Sequence, residues 1–213
     1  MIAHKTVRDL VYNYICQQIR AGKMHPSSMI KESILSEELE VSRTPVREAL
    51  IQLASEGLLE CIPHKGFRIK PLGESEARDL FVVIGQLEGL AASLAIPLLT
   101  EKELGVMQDC IDTMDFAIQH GNNELYLSTD AAFHEVYLLA CKNTVLFDTM
   151  LKLKSKLFKH RYLEGNQVEH LTTLNNEHRH ILDLLREHKS EEVSRYFTEV
   201  HWTPNAVNEE TFV

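Results

Sequence analysis

Between Lys5 and Ala21 the apolar residues Val7, Leu10, Val11, Tyr14, Ile15 and Ile19 recur at helical spacing, which predicts an amphipathic helix ending at Gly22. Met24-His-Pro-Ser-Ser reads as a turn. A short second helix is expected over about 31–40, with Ile34, Leu35 and Leu39 inward. In Val41-Ser-Arg-Thr-Pro-Val-Arg-Glu-Ala-Leu, Thr44 suits an N-cap, and Pro45 follows in the first turn, where no helical N–H bond is lost. The third helix then buries Val46, Leu50 and Leu53 and stops near Gly57. Leu58-Leu-Glu-Cys-Ile and Gly66-Phe-Arg-Ile-Lys alternate like two short strands, with Pro63-His-Lys as the hairpin tip. This order of elements predicts a winged helix-turn-helix over residues 1–70.

Beyond a short polar linker at 71–76 the pattern changes. No strand alternation follows, and breaks near Pro97–Thr100, His120–Glu124, Lys142–Asn143, Gly165–Gln167, His188–Ser190 and Pro204 divide the rest into six or seven helices. The expected architecture is therefore mostly α: the winged helix-turn-helix, then an all-α helical bundle over 77–203 and a tail at 204–213.

Composition alters this picture only where it is uneven. The 213 residues carry a net charge of −9, which taken whole argues against nucleic acid. Up to residue 70, however, there are 10 Lys and Arg against 8 Asp and Glu, and beyond it 12 against 23. The acidic excess thus belongs to the helical part. No run of about 18 apolar residues predicts a membrane span, and the N-terminus lacks the apolar core of a signal peptide. Cys16, Cys61, Cys110 and Cys141 form no CxxC pair and read as reduced thiols of a cytoplasmic protein.

The start of the third helix carries Ser42, Arg43, Thr44 and Arg47. In a helix-turn-helix this end enters the major groove. Arginine suits guanine because its fork makes two parallel bonds, while Ser, Thr and free backbone N–H groups suit phosphate. Arg43 and Arg47 are four apart and share a face. His64, Lys65 and Gly66 at the hairpin tip are placed to reach a flanking groove or phosphate. The window 42–70 holds five basic and three acidic residues, so the positive face is small.

Gly22…Pro26, Glu38-Leu-Glu-Val-Ser-Arg-Thr-Pro-Val-Arg-Glu-Ala-Leu, Leu53-Ala-Ser-Glu-Gly-Leu-Leu and Pro63-His-Lys-Gly-Phe resemble the DNA-binding domain of the GntR family of bacterial transcription regulators. The resemblance implies a homodimer on a short pseudo-palindromic operator. Ser42, Arg43, Thr44 and Arg47 are then the operator contacts, with the wing tip His64–Gly66. Many members of that family carry an Arg near the start of the second helix, where this chain has Glu32-Ser33.

Eight of the 11 histidines lie between His120 and His201. Asp130 and His134 are four apart on the stripe of Leu127, Tyr137, Leu138 and Cys141, so both point inward. His178 shares a stripe with Leu174, Ile181, Leu182 and Leu185, while His180 belongs to another face. Val193, Phe197 and His201 are spaced by four, which again turns the histidine inward. Two readings stand. Each histidine is separately satisfied in the core, or the three with Asp130 bind a divalent transition metal such as Zn or Ni, for which imidazole and carboxylate are fitting donors.

Leu87-Glu-Gly-Leu-Ala-Ala, Asp130-Ala-Ala-Phe-His134, Glu177-His178-Arg and His201 are similar, in order, to the FCD ligand-binding domain of the FadR-type branch of that family. The resemblance implies Asp130, His134, His178 and His201 as metal ligands, with a small organic acid bound beside them. Many FCD domains have an Arg four residues before the Glu of the Leu-Glu pair; here it is Ile84. An Arg fork on a carboxylate is strong, and Ile cannot replace it. Either the metal and another base hold the effector's carboxylate, or the effector is not a simple acid. Arg161 is one candidate base; the alternative is that it belongs, with Lys152, Lys154 and Lys156, to a solvated charged face.

The expectation is a DNA-binding transcription regulator, a repressor, whose grip on double-stranded operator DNA is set by a small metabolite near the metal. A metal-responsive sensor and a metal-dependent enzyme are the alternatives. Against the enzyme stand the absence of HExxH or a nucleophile motif and the attached DNA-reading head. The apolar stretch Leu80-Phe-Val-Val-Ile with Leu87, Leu90 and Leu94 serves either as a homodimer surface or as a fully buried core helix.

Overall fold

The computed structural model describes residues 6–20, 23–24, 29–70, 72–160 and 168–206. The chain forms two compact units. One is built mainly from Met1–Glu76 and the other from Ala77–Lys154 and Leu163–Val207.

In the first unit, Val11, Ile15 and Ile19 make the inner stripe of α1 (Val7–Arg20). β1 (Met29–Ile30), α2 (Glu32–Glu38), α3 (Arg43–Ser55), β2 (Leu59–Ile62) and β3 (Gly66–Ile69) follow; the turn expected at Met24-His-Pro-Ser-Ser lies, but for Met24, outside the described residues. The strands form an antiparallel sheet in the order β1-β3-β2, with Ile30 opposite Phe67 and Cys61 also opposite Phe67. One core joins these elements: Ile15, Leu35, Val46, Leu50, Leu53, Leu59, Phe67 and Ile69 are all buried. The first strand was not expected. It is too short to carry an alternation and exists through its pairing with β3, about forty residues on.

Two local expectations are corrected. Ser42, not Thr44, stands at the N-cap of α3, and its side chain makes no capping bond. The helix begins before Thr44, so Pro45 falls at its third residue, still among the positions whose N–H has no intrahelical partner. Ile34 is 54% exposed rather than inward, because on α2 only Leu35 faces the core.

The described residues of the second unit form helices joined by short turns, with no strand among them. α4 (Glu74–Ala95) is followed by α5 (Glu101–Gln119), α6 (Asn123–Ala140), α7 (Thr144–His160), α8 (Val168–Arg186) and α9 (Ser190–Tyr196). α5 starts with a reciprocal capping box between Thr100 and Glu103, and α6 is capped by Asn122, whose side chain accepts from the Leu125 N–H. α5 packs against α6 and α8, and α8 against α9. α9 runs on into a π-helical turn, Phe197–His201, closed by the Trp202 N–H donating to the Phe197 carbonyl at 2.9 Å. Such wide turns recur at functional sites because they re-aim side chains.

Gly85 and Gly89 let this last segment lie close to α4. A Cβ on Gly89 would sit 2.9 Å from the Ser194 carbonyl oxygen, and one on Gly85 would meet the Trp202 Cβ at 3.0 Å. None of the described helices is long and apolar enough to cross a membrane.

Candidate metal centre and DNA-reading face

Asp130 and His134 project inward from the middle of α6, His178 from α8, and His201 from the last residue of the π turn; all four are buried. Each follows from the helical stripes of the sequence, with Phe133 and Phe197 filling the apolar space around them. The His134 Nε2 lies 3.3 Å from His178 Nε2 and 3.4 Å from His201 Nε2. Asp130 Oδ1 is 3.3 Å from His178 Nε2 and 4.0 Å from His134 Nε2. One nitrogen from each histidine lies within 4.8 Å of the other two, while the Asp130 carboxylate approaches His178 and His134 without joining that group.

The opposite nitrogens explain the protonation. The His134 Nδ1 lies 3.0 Å from Glu88 Oε2 and 2.6 Å from the Tyr137 hydroxyl, and the His201 Nδ1 lies 2.7 Å from Glu177 Oε2. An ionised carboxylate only accepts, so in each neutral ring the proton belongs on Nδ1 and Nε2 carries a bare lone pair. With both rings neutral in this form, a cation between the two facing lone pairs would relieve their repulsion at 3.4 Å. The separations of 3.3 and 3.4 Å also match the edge of about 3.3 Å set by a tetrahedral ion with metal–nitrogen bonds of about 2.0–2.1 Å. The donor set fits a transition metal, and His134, His178 and His201 could hold one.

Electrostatics points the same way. Burial drives the His178 imidazole down to about 3, helped by the neighbouring His201. Burial also holds His134 well below its ordinary value, with the Lys154 charge adding to the effect. Both rings are therefore neutral near pH 7, the form that ligates. Burial pushes the Glu88 and Glu177 carboxyls up, opposed first by Lys154 and by His178 respectively.

Three participants escaped the sequence reading. Glu88 and Glu177 orient the imidazoles, and Lys154 forms a buried ion pair with Glu88. Lys154 was grouped with a solvated charged face; it is instead 8% exposed. The reason is periodicity: Leu146, Met150 and Lys154 are spaced by four on the inward face of α7, so the lysine occupies a core position. That stripe was the available signal. Arg161 lies outside the described residues, and Ile84 is fully buried on α4, one turn before Glu88.

In the first unit, Arg43, Arg47, His64, Lys65 and Gly66 line one open groove of about 830 Å³, together with Glu32 and Ser33. Ser42 and Thr44 are exposed at the adjoining helix start, outside the groove lining. His64 at the wing tip has φ 63°, and Gly66 has φ 113°. A Cβ on Gly66 would stand 2.6 Å from the Ile30 carbonyl oxygen, so glycine is needed where β3 passes β1. Arg47 Nε lies 3.8 Å from Glu32 Oε1.

Comparison with known proteins agrees with both units. Residues 8–69 match the model of the bacterial regulatory proteins of the gntR family, and residues 79–200 match the FCD domain. The chain is 30% identical over 173 residues to the Nta operon transcriptional regulator of Aminobacter aminovorans, covering 80% of each. It is 24% identical over 193 residues to the HTH-type transcriptional repressor RspR of Escherichia coli, covering 91% of this chain and 85% of that one. Among solved structures, Escherichia coli McbR/YncC superposes with a TM-score of 0.73 at 20% identity, covering 92% of this chain and 93% of the other. These relatives are named as transcriptional regulators and not as enzymes. The chain belongs to the GntR family of transcriptional regulators, in the FadR-type group that joins a gntR helix-turn-helix to a C-terminal FCD domain.

Proposed function

We propose that this protein is a homodimeric repressor in the cytoplasm. Ser42, Arg43, Thr44 and Arg47, with His64, Lys65 and Gly66 of the wing, contact double-stranded operator DNA. Asp130, His134, His178 and His201 hold a divalent transition metal beside which a small-molecule effector binds. The observation that carries the sensor part is the convergence of one nitrogen from each of His134, His178 and His201, with Asp130 Oδ1 3.3 Å from His178 Nε2 and with Glu88 and Glu177 on two of the opposite nitrogens. A carboxylate behind a ligating imidazole fixes its tautomer and strengthens it as a donor. When bound, the metal supplies a Lewis-acidic anchor for an oxygen-bearing effector. Repression rests on kinship with RspR, which is named a repressor.

The residues of this chain do the coupling. His134 on α6, His178 on α8 and His201 on the π turn bring three separate elements to one point. A ligand at that point that prefers one packing of these elements shifts the population toward it, and ligand and operator then change each other's affinity by one common factor. The homodimer reading is supported by α4, whose Val83, Leu90 and Leu94 are exposed along one side although the helix is otherwise largely apolar.

The experiment is to measure metal content and operator affinity together. Full-length protein purified without chelator is expected to carry about one transition-metal ion per chain and to retard an operator selected from random DNA. Absence of metal after loading with Zn²⁺ or Ni²⁺ would remove the metal site from the reading. Switching of operator binding by metal alone, across a graded concentration range, would make the protein a metal sensor instead.

A further inference from the structure

His134 and His201 each have a carboxylate behind the ring, on Nδ1. His178 has none: its Nδ1 is buried and meets no hydrogen-bond partner among the described residues. The aim of that ring is therefore inherited from the placement of α8, with the Phe133 ring packed against it at a centroid distance of 4.7 Å. α8 is tied to α5 by polar contacts that run along both helices. The Asn175 Nδ2 donates to the Ile111 carbonyl oxygen at 3.1 Å and to Asp115 Oδ1 at 2.8 Å. Arg179 forms an ion pair with Asp115, and the Arg186 guanidinium donates to Gln108 Oε1 at 3.3 Å. α5 also packs against α6, which carries Asp130 and His134. Asn175 lies three residues before His178 on the same side of α8, so its hold on α5 fixes both the rotation and the height of the histidine.

Asn175 is fully buried, and its Oδ1 has no hydrogen-bond partner among the described residues. A buried acceptor without a donor costs stability, and a half-satisfied amide is worse in a core than an apolar side chain of the same shape. Its two acceptors do not depend on it either. Ile111 lies inside α5, where its carbonyl has a helical N–H, and Asp115 keeps Arg179 with its side chain 37% exposed. Stability thus gives no reason for an amide here, and placement does. We infer that Asn175 is a positioning residue of the metal centre: by gripping α5, it sets the His178 Nε2 at the distance from His134 that one ion can span. This rests on the reading of the three histidines as a metal site. It also assigns a role to α5, which contributes no ligand yet packs against the helices that carry Asp130, His134 and His178.

Full-length protein freed of metal with chelator and reloaded with Co²⁺ gives three readings. They are the affinity, by competition with a chromogenic chelator, the visible absorption of the bound ion, and the thermal midpoint of the metal-free chain. Asn175→Leu keeps the branched shape and removes the amide. It is expected to leave that midpoint unchanged or raised, to weaken Co²⁺ binding about tenfold or more, and to shift the visible bands, because a displaced ligand changes both affinity and geometry. Asn175→Ala adds no bulk and keeps the test open should the leucine variant fail to fold. It should lose Co²⁺ affinity by a similar factor, with the bands shifted the same way. Wild-type affinity and spectrum in both variants would overturn the inference. A lowered midpoint in Asn175→Leu, with the visible bands of the bound ion unmoved, would overturn it as well, since that is the signature of a merely structural residue. Wild-type protein that takes up neither Co²⁺ nor Zn²⁺ would remove the metal centre and this inference with it, so the wild type alone tells the two failures apart.

Discussion

His134 and His201 present their Nε2 atoms to each other at 3.4 Å, while the far nitrogen of each ring lies against its own carboxylate, Glu88 or Glu177. In the neutral rings the two acids hold the protons on Nδ1 and leave the facing atoms as acceptors. Removing a carboxylate should disturb the centre without removing a ligand. Glu177→Gln is expected to weaken metal affinity about 10–100-fold, read by competition with a chromogenic chelator. His178→Ala, which deletes a donor, should lose more. An affinity unchanged in Glu177→Gln would mean that the hydrogen bond to His201 plays no part in binding.

The depressed histidines give the metal-free protein a definite acid response. His178 titrates at about 3 in the folded chain against an ordinary value of 6.5, and His134 is shifted the same way. Below about 6.5 the unfolded chain takes up protons that the folded chain refuses. Their contribution to stability is therefore complete above that pH and falls as the pH drops toward the folded value, by at most about 1.4 kcal/mol per pH unit for each histidine. Urea midpoints of chelator-treated protein should fall between pH 6.5 and 4, and His178→Phe should flatten the slope. A slope unaltered by that substitution would contradict the shift.

The fate of individual residues tells how much of this was legible in the chain. The inward placement of Asp130, His134, His178 and His201 is legible because each sits on an apolar stripe of its own helix, and the fold brings the three histidines together. Lys154 carries the same signal, four residues after Met150 and eight after Leu146, yet its place in a lysine-rich stretch hid it. Glu88 and Glu177 bear no periodic mark of their role. What defines them is contact with rings 46 and 24 residues away, which no local pattern encodes. The same holds for β1, a two-residue strand created by its partner, and for the N-cap of α3, where Ser42 and Thr44 are both plausible by type and backbone geometry decides.

The exposed side of α4 can be tested by charge. Val83 and Leu90 are 45% and 46% exposed, so aspartate at both is tolerable in an isolated chain. In a dimer packed through this face the same charges would be buried and unpaired. Val83→Asp/Leu90→Asp should convert a dimer to a folded monomer by light scattering, with helical content retained and operator affinity lowered. A dimer that survives the double substitution would place the interface on another surface.

Glu32 and Arg47 meet at 3.8 Å in the groove beside the wing, with the arginine side chain 68% exposed. An exposed pair of this kind holds little stability. With Arg47 on DNA as proposed, an acidic group beside it opposes the phosphate field and limits indiscriminate binding. Arg47→Ala and Arg43→Ala should each cost about 1–3 kcal/mol on the cognate operator where they read a base, and little on random duplex. Glu32→Gln should act in the opposite sense. It should raise affinity for random duplex at low salt and narrow the ratio between specific and non-specific binding, with thermal stability nearly unchanged. Gel-shift titrations on both duplexes at two salt concentrations separate these outcomes. An unaltered ratio in Glu32→Gln would show that the pair has no part in discrimination.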